Sequence, residues 1–151
     1  MALVGRIIVI LFALWLATIA AGIVWSVGLL GSQWSALSGD VGERIVFWGA
    51  AFIASSVTAT LLFLPMLIAV VVAEAFKVRS LLIHVVAAVA LFLLAYQGAG
   101  LGRSGEESID HAPPPVSRDA EIAAAAGIVF GLTYWLIAGR KAGRWREPRA
   151  V

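Results

Sequence analysis

The 151-residue sequence contains no cysteine and few charged residues, and both absences narrow what the protein can be. Without cysteine there is no disulfide, thiolate metal site, iron–sulfur cluster or cysteine nucleophile. Only 13% of the residues are charged, about half the share in an average soluble domain, whereas 62% are apolar. This composition excludes soluble globular, disordered and collagen-like chains and indicates a protein whose main solvent is lipid.

Motifs of the common catalytic classes are also missing. The sequence has no phosphate-binding Walker loop and no GxSxG or HExxH motif. Its densest polar cluster is acidic and consists of Glu106, Glu107, Asp110 and His111. The flexible Gly/Ser residues around this cluster argue against a preformed metal site. We therefore expect no enzyme, no cofactor and no metal site.

Four uncharged runs can each cross the ~30 Å of membrane hydrocarbon as a helix, which takes about 20 residues. Backbone polar groups in hydrocarbon must be paired within their own segment, so these runs form helices rather than strands. The predicted fold is an all-α membrane protein, an antiparallel bundle of four transmembrane helices. The helices are expected at approximately 7–30, 45–73, 80–97 and 122–139.

The distribution of basic residues predicts the orientation of this bundle, because Lys and Arg are retained on the cytoplasmic side. Eight of them lie at the N-terminus, in the turn after the second helix and in the C-terminal tail, against three in the two opposite loops. We expect both termini in the cytoplasm, with the protein in a bacterial inner membrane.

The first run also has features of a signal peptide: Arg6, an apolar stretch and the small residues 20–22. The absence of charge continues to Gly39, well past that cleavage point, which favours an uncleaved helix. Cleavage, which would leave three helices, is the alternative.

The connections between the helices differ in length and character. Residues 74–80 form a tight turn, which predicts that the second and third helices are antiparallel neighbours, and Glu74 and Lys77 can pair within it. Residues 98–121 form a Gly/Ser/Pro-rich outer loop, read as a linker or as a docking segment for a partner. Ser117 is predicted to cap the last helix.

The tail, residues 140–151, is basic and contains a tryptophan. Such residues after a transmembrane helix are attracted to anionic lipid and to the headgroup level, whereas nucleic-acid binding is not expected without a recognisable module. We predict a membrane-interface anchor made of Arg140, Lys141, Arg144, Trp145 and Arg146.

Two sets of residues inside the helices are candidates for a functional role. Ala123, Gly127 and Gly131 share one face of the last helix and predict close helix packing, within the bundle or against a partner subunit. A possible ligand face combines the kinked, hydroxyl-rich second helix with the one histidine predicted within a membrane helix: Ser55, Thr58, Pro65 and His84.

Two functions follow as hypotheses. The first is a non-catalytic accessory or scaffold protein of a membrane complex, with the lipid bilayer and either a membrane-protein partner or further copies of itself as partners. The alternative is a small-molecule or lipid-binding carrier that uses the polar second helix.

Overall fold

A computed structural model describes residues 2–30, 40–98 and 117–143 of the chain. This part contains four α-helices and one short 3₁₀-helix, with no strand: α1 (Ala2–Leu30), α2 (Val41–Ala75), α3 (Leu81–Gly98), α4 (Arg118–Ile137) and the 3₁₀-helix Gly139–Lys141. All four α-helices are long and apolar enough to cross a membrane, which confirms the prediction of an all-α chain with four candidate membrane spans. Most of the outer loop and of the basic tail lies outside the described residues.

Side chains at the ends of α2 and α4 explain where these helices start. The Asp40 carboxylate accepts a hydrogen bond from the Val41 backbone N–H at 2.7 Å. The Ser117 hydroxyl accepts one from the Ala120 N–H at 3.3 Å, which confirms Ser117 as the cap of α4. Acidic residues in both first turns add negative charge where the helix dipole favours it.

The packing order of the helices differs from their order in the chain. α4 packs against both α1 and α3, and α1 also packs against α2. α2 and α3 contact each other, as the short turn between them predicts, but much less closely than the other three pairs. The cause is the distribution of small residues, because α1 buries the alanine row 13, 17 and 21 and α4 buries Gly127 and Gly131.

The glycine face of α4 lies directly against the backbone of α3. A β-carbon at Gly127 would lie 2.8 Å from the Val89 α-carbon, and one at Gly131 would lie 2.8 Å from the Val85 α-carbon. Ala123, the third member of this face, is fully buried. These positions therefore pack within the chain's own bundle.

The contacts show which helix ends lie together. Near the start of α1, Arg6 bonds to Glu74 at the end of α2 and to Ala138 just after α4. Near the end of α1, the Gly28 carbonyl oxygen accepts a hydrogen bond from Arg118 Nη2 at 3.2 Å. The described charged residues thus separate into one end that is mainly basic (Arg6, Glu74, Lys77, Arg79, Arg140, Lys141) and one that is mainly acidic (Asp40, Glu43, Arg44, Arg118, Asp119, Glu121).

We expect Gly131→Ala to destabilise the protein by about 1–3 kcal/mol, because the added methyl group would force α3 away from α4. Thermal unfolding of the detergent-solubilised chain measures this. Gly49→Ala is the matched control, since a β-carbon at Gly49 would meet no other helix of the described part of the chain within 4 Å. Equal melting temperatures for both variants and the wild type would contradict the close α3–α4 approach.

Candidate functional site

A buried ion pair lies at the basic end of the molecule. The Arg6 guanidinium donates to Glu74 Oε1 through both Nε, at 2.9 Å, and Nη2. The two side chains are only 10% and 12% exposed. This pair joins the start of α1 to the end of α2, across 68 residues of sequence.

Both partners of this pair also bond to the segment after α4. Arg6 Nη2 donates to the Ala138 carbonyl oxygen at 2.8 Å, and the Gly143 N–H donates to Glu74 Oε2 at 2.8 Å. The carboxylate is therefore used on both oxygens, as a buried charge requires. Charge-assisted hydrogen bonds therefore hold three helix ends together. We interpret this cluster as a structural one.

His84 lies at the same end, on the first turn of α3. Its Nδ1 is 2.8 Å from the Ser80 carbonyl oxygen, and since a carbonyl oxygen can only accept, Nδ1 carries a proton. The Tyr134 ring stacks on the imidazole with the ring centroids 5.7 Å apart. His84 Nε2 is buried and has no hydrogen-bond partner among the described residues, and a β-carbon at Gly139 would lie 3.0 Å from it. Because Gly139 has no side chain, it leaves room for the His84 imidazole ring, which is covered by α4 and the residues that follow α4.

A cleft of about 570 Å³ lies between α1 and α2. Its walls are almost entirely apolar and include the aromatic rings of Trp15, Trp48, Phe52 and Phe63. All four of these side chains are more than half exposed, so they line an open cleft and not a closed core.

Three of the four hydroxyl side chains that line this cleft, Thr18, Ser55 and Ser56, bond to carbonyl oxygens of their own helices. Thr18 donates to the Leu14 carbonyl oxygen at 2.8 Å, and Ser55 donates to that of Ala51 at 2.7 Å. Since these bonds use the hydroxyl protons, the cleft offers little to a polar solute and suits an apolar one.

A smaller cleft of about 190 Å³ separates α2 from α3. Met66 and Val70 of α2 face Ile83 and Leu91 of α3 across it, and Tyr134 also contributes to its wall. This cleft is the space that the slight contact between α2 and α3 leaves open.

The structure divides the predicted ligand face between the two clefts. Ser55 and Thr58 line the α1–α2 cleft, whereas His84 lines the α2–α3 cleft. Pro65 lies inside α2 and belongs to neither lining. A single ligand site formed by all four residues is therefore not present among the described residues.

The predicted membrane anchor is described only in part. Arg140 and Lys141 are exposed on the 3₁₀-helix after α4. Arg144, Trp145 and Arg146 lie outside the described residues, as do Glu106, Glu107, Asp110 and His111 of the acidic cluster.

Sequence reasoning missed the Arg6–Glu74 pair. The local spacing in the sequence indicates that Glu74 can pair with Lys77, three residues away, and gives no sign of a more distant partner. A cross-helix signal did exist. Arg6 precedes the first apolar run and Glu74 follows the second, and both of these ends face the cytoplasm in the predicted orientation.

Comparisons with known protein families, curated proteins and solved structures find no match to this chain. A function for this chain is therefore inferred from the geometry of the clefts and the helix ends.

We expect Glu74→Ala to destabilise the protein by about 3 kcal/mol, since it leaves a partly buried guanidinium without its partner. The double variant Arg6→Met with Glu74→Met should be more stable than Glu74→Ala, because neither charge then remains buried. Unfolding of both variants in mixed micelles measures the difference.

Glu43→Ala serves as the control, because Glu43 is an exposed acid in the first turn of the same helix. A loss as large in this control as in Glu74→Ala would contradict a structural role for the pair.

Proposed function

We propose that the chain is an antiparallel bundle of four transmembrane helices in a bacterial inner membrane, with both termini in the cytoplasm. The separation of charge between the two ends supports this orientation. Four exposed basic residues lie at the end that contains the start of α1 and the end of α4: Lys77, Arg79, Arg140 and Lys141. Basic residues in short loops are retained on the cytoplasmic side.

We propose further that the protein binds a lipid acyl chain in the α1–α2 cleft, as a lipid-binding carrier. The observation that carries this proposal is the size and apolar lining of the cleft. Its volume of about 570 Å³ lies within the range of ligand sites, roughly 300–1,000 Å³. The cleft lies between helices that are candidate membrane spans, so lipid is the apolar solute with access to it.

The length of the cleft also fits an acyl chain. Its lining extends from Leu11 to Ile23 on α1, which is about 18 Å at a rise of ~1.5 Å per residue. One leaflet of the hydrocarbon core is about 15 Å thick. An acyl chain aligned with α1 would therefore contact the cleft along most of its length.

Filling the cleft tests this function. Ala59 is an exposed alanine in the cleft wall, and Ala59→Trp places a large side chain there without entering the core. We expect native mass spectrometry of the chain with dioleoyl phosphatidylcholine to show a one-to-one adduct that Ala59→Trp reduces several-fold.

Ala90→Trp is the matched control, an exposed alanine of α3 that lines neither cleft. The same adduct in both variants would contradict binding in the cleft. Thr58→Val separates the ligand classes, because it leaves acyl-chain binding unchanged but weakens a ligand that bonds to the hydroxyl.

A second candidate function, a non-catalytic accessory protein of a membrane complex, is favoured by the outer face of α2. Thr60 is exposed there, and so is Ser56 at the edge of the α1–α2 cleft; their hydroxyls bond to the carbonyl oxygens of Ser56 and Phe52. Among the described residues, no other helix lies within 4 Å of where a β-carbon of Gly49 would be. Small residues with internally bonded hydroxyls allow another helix to approach closely.

Under this second function we expect a partner membrane protein to copurify in fixed stoichiometry, and Gly49→Leu with Thr60→Leu to release it. Native mass spectrometry after mild extraction measures the stoichiometry. Gly5→Leu, at another glycine with open space, should retain the partner. A wild-type chain that is strictly monomeric and without a partner would contradict the accessory function. Gly127→Leu is unsuitable here, because Gly127 packs against α3.

A further inference from the structure

The turn between α2 and α3 lies directly against the segment that follows α4. Arg79 Nε donates to the Ala142 carbonyl oxygen at 3.0 Å, and Trp135 Nε1 donates to the Arg79 carbonyl oxygen at 2.8 Å. The Gly143 N–H bonds to Glu74 at 2.8 Å. The turn and the start of the tail therefore form one surface, although more than 60 residues separate them in the chain.

Lys77 occupies a position in this turn that normally favours glycine. Its φ is +52°, in the left-handed region, and the Val78 N–H donates to the Ala73 carbonyl oxygen at 2.8 Å, as in a Schellman helix end. A lysine in this conformation is strained compared with glycine. A strained residue held in place by its surroundings points to a use for its side chain.

The side chain of Lys77 extends over the tail. A β-carbon at Gly143 would lie 3.1 Å from Lys77 Cβ and would clash with its Cγ, so the aliphatic stem of the lysine lies on this glycine. The adjacent residues Arg140 and Lys141 are exposed on the 3₁₀-helix. Three cations from two distant parts of the chain therefore lie at the same end of the bundle, near Gly143.

The charge of this surface is not balanced by acids within the described residues. Glu74 is the one acid at this end in residues 2–30, 40–98 and 117–143, and both of its oxygens are used by Arg6 and Gly143. The surface of Lys77, Arg140 and Lys141, the basic face, therefore favours an anion.

The apolar residues beside the basic face distinguish a lipid from a solute in water. Phe76, next to Lys77, is 77% exposed, and Leu82, just after the turn, is 70% exposed. Exposed aromatic and aliphatic side chains next to cations suit the boundary between headgroups and acyl chains. A free anion or an acidic segment of a soluble protein would leave these side chains in water.

We propose that the basic face is a binding site for the headgroup of an anionic phospholipid, with its phosphate contacted by Lys77, Arg140 and Lys141. This site does not depend on the α1–α2 cleft, because none of its residues lines that cleft. It gives selectivity for lipid charge, whereas an acyl chain in the cleft gives none.

The test compares binding of phosphatidylglycerol and phosphatidylcholine to the full-length chain in mild detergent, by native mass spectrometry. We expect Lys77→Gly to weaken phosphatidylglycerol binding about fivefold, since a cation near an anionic lipid surface contributes ~1 kcal/mol. Lys77→Gly should also raise the melting temperature, because glycine relieves the left-handed strain. Lost binding in a more stable protein cannot result from unfolding.

Lys77→Arg should retain binding, and Arg140→Gln with Lys141→Gln should weaken it about 25-fold. Arg44→Gln at the acidic end is the control and should change phosphatidylglycerol binding less than twofold. Equal affinity for both lipids, or unchanged binding in Lys77→Gly, would overturn the proposal. Competition by millimolar inorganic phosphate would also overturn it, by assigning the site to a free anion. Loss of the phosphatidylcholine adduct in Ala59→Trp would concern the α1–α2 cleft alone and would leave the proposal for the basic face intact.

Discussion

The ion pair between Arg6 and Glu74 is the interaction on which the arrangement of helix ends depends. A carboxylate and a guanidinium are removed from water together, and each also bonds to the segment after α4. Such a pair contributes little net stability compared with apolar residues of similar size, but removing one partner is costly. Its main effect is therefore specificity, because it selects one register in which the start of α1 meets the ends of α2 and α4.

Small residues determine the rest of the packing and, by their distribution, leave the clefts open. Buried glycines bring α4 against α3, and Gly22 brings α1 close to Ala51 and Ser55 of α2. α1 and α2 are thus held together near the ion pair and again near Gly22, and the α1–α2 cleft lies mainly along the stretch between these two points.

The sequence predicted the four helices and the cap at Ser117, because length, hydropathy and capping chemistry are local properties. It did not predict which helices pack together, since α2 and α3 are neighbours in the chain but the small residues that allow close approach lie on α1 and α4. The partner of Glu74 was missed for the same reason: spacing favoured Lys77, whereas the structure brings Arg6 from 68 residues away. The ligand face was divided because a shared polar character does not place His84 and Ser55 at the same depth or between the same helices.

The choice of partner for Glu74 also determines the electrostatics of the basic end. Had Glu74 paired with Lys77, the turn would carry a neutral pair and Arg6 would remain as a separate cation at the start of α1. Because Arg6 neutralises Glu74 within the bundle, the Lys77 side chain lies over Gly143 instead, beside the cations of the tail. The interaction that fastens the helix ends inside the protein thus also concentrates positive charge on its surface, at the level where candidate membrane helices end. Structural order and the proposed attraction to anionic lipid then have a common origin in one carboxylate.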